Sequence, residues 1–147
     1  METVLVCGLG AFGQAVIARL LPFGVPLRLI DLSPPDWRYP EFQQALQGRL
    51  TIGDMRKPHV LRLAGADRAR AVLLLSSDGG TNIEAALQVR LLNEGAEVVI
   101  RSTSELDSLG SLLQLRLPHV AVVNPLQLSA GALGRRCGLA TSWPASR

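Results

Sequence analysis

The run Val4-Leu5-Val6-Cys7-Gly8-Leu9-Gly10-Ala11-Phe12-Gly13 decides how the rest of the chain is read. A strand-like apolar stretch, Thr3 to Cys7, passes directly into Gly8-Leu9-Gly10-Ala11-Phe12-Gly13, a G-x-G-x-x-G that opens a helix. In such a loop Gly8 allows the tight turn, Gly10 leaves no side chain to block a pyrophosphate, and Gly13 lets helix and strand pack closely. Exposed amides and the dipole at the helix N-terminus then hold an anion. The motif alone is weak. A second strand, however, ends in Leu27-Arg28-Leu29-Ile30-Asp31, and Asp31 lies 18 residues after Gly13. That is near the spacing of a carboxylate that accepts hydrogen bonds from an adenosine ribose. The plain alternative is that the glycines serve a turn and the acid caps a strand; a turn alone needs one glycine and no neighbouring acid. A carboxylate there repels a 2'-phosphate, so NAD, ATP, ADP or AMP is expected rather than NADP.

Outward from this stretch, apolar runs of strand length alternate with helical patterns, separated by Gly, Pro, Ser and Asp. Strands are expected at about 3 to 7, 26 to 31, 49 to 52, 71 to 76, 97 to 102 and 119 to 124. Helices are expected at about 11 to 21, 57 to 64, 80 to 93 and 106 to 115, with a last one near 125 to 135. Ser33 to Gln47, with Pro34, Pro35 and Pro40, reads as a loop closing with a short helix over Glu41 to Leu46. Continuous Val/Leu/Ile strands are buried on both faces, the mark of a parallel sheet covered by helices. Right-handed crossovers then give an α/β, Rossmann-like doubly wound six-stranded sheet of order 3-2-1-4-5-6, with helices on both faces. One nucleotide-binding domain is expected over residues 1–134. The tail 135–147, with Gly138, Pro144 and no apolar period, is expected to be poorly ordered.

Composition narrows the function classes. At 147 residues the chain suits one domain, and its hydrophobic residues (48%) outweigh its charged ones (18%). Mean hydropathy is +0.25, yet no run approaches the roughly 18 to 20 apolar residues of a membrane span. The net charge of +3 comes from scattered basic residues, most with acidic neighbours, and aromatics are only 4%. Neither a basic stripe nor stacking platforms for nucleic acid emerge. Cys7, inside the first apolar run, and Cys137 lack metal-ligand spacing and read as free thiols. With no charged leader before the first strand, a cytoplasmic protein is expected.

Further candidates lie at the ends of the other strands. Gly53-Asp54 brings a second acid to the same edge, beside adenine or as cap of the helix near Pro58. Ser76-Ser77-Asp78-Gly79-Gly80-Thr81-Asn82 supplies small polar groups across the switch point, for a phosphate or second nucleoside or merely as a helix cap. Arg101 ends the fifth strand, either neutralising phosphate or standing exposed. A dehydrogenase needs further residues for substrate and proton transfer. The only histidines are His59 and His119, Tyr39 has no lysine four residues on, and Lys57 is the sole lysine. None has a convincing acid-base partner in the sequence. No G-K-[ST] follows the glycines, so nucleotide hydrolysis is not expected. A small NAD-dependent oxidoreductase is the competing enzyme reading.

From about Val4 to Leu133 the sequence resembles the N-terminal nucleotide-binding module of the RCK family, also called KTN or TrkA-N domains. The resemblance rests on Gly8-Leu9-Gly10-Ala11-Phe12-Gly13-Gln14, Ile30-Asp31, Ile52-Gly53-Asp54 and Val60-Leu61-Arg62-Leu63-Ala64-Gly65. Ala69-Arg70-Ala71-Val72, Thr81-Asn82, Val99-Ile100-Arg101 and Val123-Asn124-Pro125 extend it. It implies that the backbone from Gly8 to Gly13, including Ala11 and Phe12, holds phosphates, while Asp31 and the adjoining Leu32 meet the ribose. Asp54 and Met55 are implied near adenine, and Ser76 and Arg101 near the phosphate or distal half. It also implies binding of NAD(H), ATP, ADP or AMP without consumption, a homodimer or larger ring, and coupling to a potassium channel or transporter. Ala11 stands where many relatives carry a phosphate-reaching arginine. The resemblance leaves a nucleotide-binding fragment of a longer channel or transporter chain as a third reading, and on the sequence as read the C-terminal ligand domain common in the family is not expected.

Overall fold

A computed structural model describes residues 2–102 and 107–125. Six strands form one parallel sheet: β1 (Val4–Cys7), β2 (Leu27–Asp31), β3 (Leu50–Ile52), β4 (Ala71–Leu74), β5 (Glu97–Arg101) and β6 (Val120–Val123). Their order is β3-β2-β1-β4-β5-β6, as expected from the sequence, with the direction of winding reversing between β1 and β4. Helices α1 (Ala11–Leu20), α2 (Pro40–Ala45), α3 (Pro58–Leu63), α4 (Gly79–Leu92) and α5 (Asp107–Arg116) connect them. Element ends differ from expectation by a residue or two; β4 stops at Leu74 where the apolar run predicts an end at about 76. The helix expected near 125 to 135 and the tail 135–147 lie outside the described residues. No helix among the described residues is long and apolar enough to cross a membrane.

The strands are apolar on both faces because each face meets its own helices. Leu5, Cys7, Ile30, Leu74 and Ile100 join one core cluster with Val60 and Leu61 of α3 and Ala85, Ala86 and Val89 of α4. Val4, Val6, Leu29, Leu73 and Val99 join the other, with Val16, Ile17 and Leu20 of α1 and Phe42 of α2. Burying one such aliphatic side chain stabilises by about 1.5 to 3 kcal/mol, so the sheet is the stable element from which the rim loops hang. Cys7 is wholly buried, and that burial, aided by the nearby Asp31 charge, pushes its thiol pKa far up.

The basic residues, scattered among acidic neighbours in the sequence, form ion pairs in some places and backbone contacts in others. Arg56, Arg68 and Arg70 form ion pairs. Arg28, Arg49, Arg90 and Arg101 instead donate to backbone carbonyls, which closes loops rather than neutralising charge. His119, expected to lack a partner, sets Nδ1 3.0 Å from Glu97 Oε1. Glu97 starts β5 and His119 precedes β6, so the pair sits at the amino edge, opposite the rim described next.

Candidate functional site

The strand register brings the sequence candidates into one row at the carboxyl edge. Cys7 pairs with Ile30 on one side and Leu74 on the other, and Leu74 pairs with Ile100. One residue further on, Gly8, Asp31, Leu75 and Arg101 therefore stand level. Gly8 N–H donates to Ile30 O at 2.9 Å and Gly53 N–H to Asp31 O at 2.8 Å, which carries the row to the loop of Asp54.

The glycine loop has the shape that its spacing calls for. Gly8 has φ +99°, and a Cβ there would lie 2.8 Å from Ser76 N; at Gly13 a Cβ would lie 1.9 Å from Gly8 O. Close packing of loop, helix and the β4 tip thus excludes side chains at both positions. Gly10, by contrast, is exposed, and a Cβ there would meet nothing within 4 Å. It precedes the first turn of α1 with no side-chain cap, so the amides of that turn are open to an outside acceptor. An anionic ligand fits this cradle, and Ala11, exposed on the first turn, adds no charge of its own.

Asp31 is anchored to that loop. Its Oδ2 accepts from Leu9 N–H at 3.0 Å and its Oδ1 from Leu32 N–H at 2.7 Å. Each oxygen keeps a further lone pair, so the carboxylate is oriented without being consumed. Leu32 itself is exposed. Across the switch point, Arg101 donates from Nη1 to Leu75 O at 3.3 Å, and its guanidinium lies 5.3 Å from the centre of the Phe12 ring. Its Nε is buried without a hydrogen-bond partner. Arg101 is thus half-buried and laid across the rim, not the freely exposed strand-end arginine of the plain alternative.

Two of the alternative capping roles sort out differently. Asp78, within the stretch Ser77 to Asn82 expected as a cap, does cap α4: its Oδ1 accepts from Thr81 N–H at 3.2 Å, while Ser76 Oγ accepts from Asp78 N–H at 3.1 Å. Asp54 does not cap α3, whose cap position is Lys57 with no side-chain bond. It is held by Arg56, with Nη2 at 2.7 Å from Oδ2, and that bonding lowers its carboxyl pKa to about 2. Arg56 also reaches Glu84 of α4 at 3.7 Å. Met55 is buried, in the core cluster that holds Ile30 and Val60. Asp54 therefore reaches the rim already paired, and Met55 lies beneath it.

Two residues matter here that the sequence motifs contain but to which no individual role was assigned. Gln14 and Asn82 are the buried polar side chains among the described residues, at 2% and 0% exposure. Gln14 Nε2 donates to Leu9 O at 3.0 Å and Asp36 O at 2.8 Å, and its Oε1 accepts from Arg38 N–H at 2.8 Å. Asn82 binds both polar atoms of the Ser76 backbone, at 3.0 and 2.8 Å, and donates to Arg101 O at 3.2 Å. The signal for both was a polar amide within an apolar helical stripe: Gln14 with Ile17, and Asn82 with Ala85, Ala86 and Val89.

Three comparisons bear on this arrangement. The TrkA-N domain model matches residues 4–122. The solved structure of GsuK bound to ADP is 27% identical with a TM-score of 0.69, covering 91% of this chain and 33% of that one. The GsuK channel bound to NAD is 26% identical with a TM-score of 0.68, covering 97% of this chain and 24% of that one. This chain thus spans about a third or less of those proteins. The TrkA-N domain of the inner membrane protein ybaL from Escherichia coli, 20% identical with a TM-score of 0.68, shares the fold over 86% of this chain and 89% of its own. Among curated proteins there is no match. With the family model spanning most of the chain over the same sheet and glycine loop, the protein belongs to the TrkA-N (RCK) domain family.

Proposed function

We propose that this chain binds an adenine nucleotide, NAD(H) or one of ATP, ADP and AMP, at the carboxyl rim without consuming it, and that occupancy biases the gating of a potassium channel or transporter. The observation that carries the reading is the anchoring of Asp31 to the glycine loop through Leu9 N–H, which sets a ribose acceptor beside an anion cradle. In this reading the backbone of Gly8, Gly10, Ala11, Phe12 and Gly13 takes the phosphates, and Asp31 with Leu32 takes the ribose. Asp54 and Met55 border the adenine, and Ser76 and Arg101 meet the distal phosphate or second nucleoside. The ADP and NAD in the GsuK structures support the ligand class.

The module acts from the cytoplasmic side through a membrane subunit and assembles as a homodimer or larger ring. A nucleotide shifts gating only as far as it binds one arrangement of that assembly more tightly than another. A tenfold preference contributes about 1.4 kcal/mol per site, and the sites of a ring add. Hydride chemistry gains no support at this rim, since His119 pairs with Glu97 at the opposite edge. The test is mass spectrometry of the ligand that copurifies, then calorimetry with NAD, NADH, ATP, ADP and AMP. Saturable binding without turnover is expected, weakened by Asp31→Ala in a chain that still folds; unchanged affinity in that variant refutes the ribose role.

A further inference from the structure

Gln14 and Asn82 occupy equivalent places in the two halves of the doubly wound sheet. Each is the fourth residue of the helix that leaves a strand at the switch point, α1 after β1 and α4 after β4. In each half the backbone N–H of that residue donates to the residue before the helix, Gln14 to Gly10 O at 3.0 Å and Asn82 to Asp78 O at 3.2 Å. Each side chain then turns back into the strand-helix loop of its own half and on to the next loop outward. Gln14 ties Leu9 to Asp36 and Arg38 in the segment that follows Asp31. Asn82 ties Ser76 to the tip of β5 at Arg101. A helix interior asks for an apolar residue at such buried positions, and an amide is costly there unless its bonds are made. Both side chains make three, so the loops they join are held in one arrangement.

We infer that Gln14 and Asn82 are paired positioning residues, Gln14 for the half of the crevice that takes the adenosine and Asn82 for the half that takes the distal part of a dinucleotide. The inference rests on the nucleotide reading above and divides the labour within it. A loop already in its bound arrangement spares the ligand the cost of ordering it, so loosening a loop weakens only ligands that touch it. AMP reaches the Gln14 half alone, whereas NAD spans both.

Calorimetry of AMP and NAD on the full chain, with Gln14→Ala and Asn82→Ala beside the unaltered protein, tests this. Gln14→Ala is expected to weaken both ligands by a similar factor, about tenfold. Asn82→Ala is expected to weaken NAD by about tenfold and AMP by less than about twofold, so that the NAD-to-AMP affinity ratio moves in this variant alone. Where circular dichroism shows an alanine variant unfolded, Gln14→Met or Asn82→Ser decides. A purely structural role lowers the melting temperature but leaves the ratio fixed, and that result overturns the inference. So does AMP binding without NAD binding in the unaltered chain. Failure of the unaltered chain to bind AMP and NAD overturns this inference, and failure to bind any of NAD, NADH, ATP, ADP and AMP overturns the nucleotide reading itself.

Discussion

Alanine at Gly10 and alanine at Gly13 should separate binding from folding, although both change the same six-residue loop. A Cβ at Gly13 would sit 1.9 Å from Gly8 O, far inside the roughly 3.5 Å of an ordinary non-bonded contact. Backbone lies on the other side, so neither partner can rotate away, and overpacking of this kind costs about 3 kcal/mol. Alanine's better helix propensity returns about 1 kcal/mol. The net loss of about 2 kcal/mol corresponds to a fall of roughly 8 °C in Tm for a chain of this size. Gly10 has φ −73°, open to any residue, and space around its missing Cβ. As a cap residue, its change to alanine costs about 0.5 to 1 kcal/mol, a fall of at most roughly 4 °C. The added methyl group nevertheless projects where the phosphates are proposed to lie, and affinity should drop at least about tenfold, or 1.4 kcal/mol. Thermal melts followed by circular dichroism and calorimetry with AMP and NAD measure the two quantities on the same samples. Unchanged affinity in Gly10→Ala refutes the placing of the phosphates, and an unshifted melt in Gly13→Ala refutes the contact with Gly8.

Other consequences follow from the same rim and core. The Asp54 carboxyl is depressed from 3.8 to about 2, chiefly by its hydrogen bonds from Arg56. Its contribution to stability is therefore present above about pH 4 and lost as pH falls toward 2, and Asp54→Asn should remove that part of the acid-unfolding profile. The effect is small because the pair lies at the surface; an identical acid titration of both proteins counts against the Arg56 contact. Cys7, buried with its thiol pKa pushed up, should resist a thiol reagent in a Cys137→Ser background at pH 8 and react fully in urea. Rapid native labelling contradicts its place in the core. His119→Ala, at the amino edge, should leave nucleotide affinity unchanged in calorimetry, since its partner Glu97 stands at the opposite end of the sheet from Asp31.

The sheet was legible because its two central strands, β1 and β4, carry an unbroken apolar pattern that permits only one environment. Val4 to Cys7 and Ala71 to Leu74 are buried throughout, and residues buried on both faces demand helices on both faces, hence parallel crossovers. Element ends were less legible. The end of β4 at Leu74 depends on the side-chain amide of Asn82, in the helix that follows, taking both polar atoms of the Ser76 backbone, a side-chain contact that the apolar pattern does not register.

The site was legible where backbone geometry alone requires a residue type, and obscure where a side chain answers to a tertiary neighbour. Gly8 and Gly13 announce themselves because any other residue collides with backbone, and Asp31 because it ends a strand beside them. Arg101 reads from sequence as a charge at a strand end, yet its guanidinium is occupied by Leu75 O and the Phe12 ring. Asp54 reads as a free acid or a cap, yet Arg56, two residues on, encloses it in the turn. The amides of Gln14 and Asn82 carry no charge and belong to no catalytic pattern, so the motifs that include them give them no role, and their burial within apolar helix faces does. Charged residues at a rim find partners in water or on nearby loops and tolerate several arrangements. A buried amide held by three bonds tolerates one, so the two least conspicuous residues of this rim constrain its shape more tightly than the acids and arginines that first draw the eye.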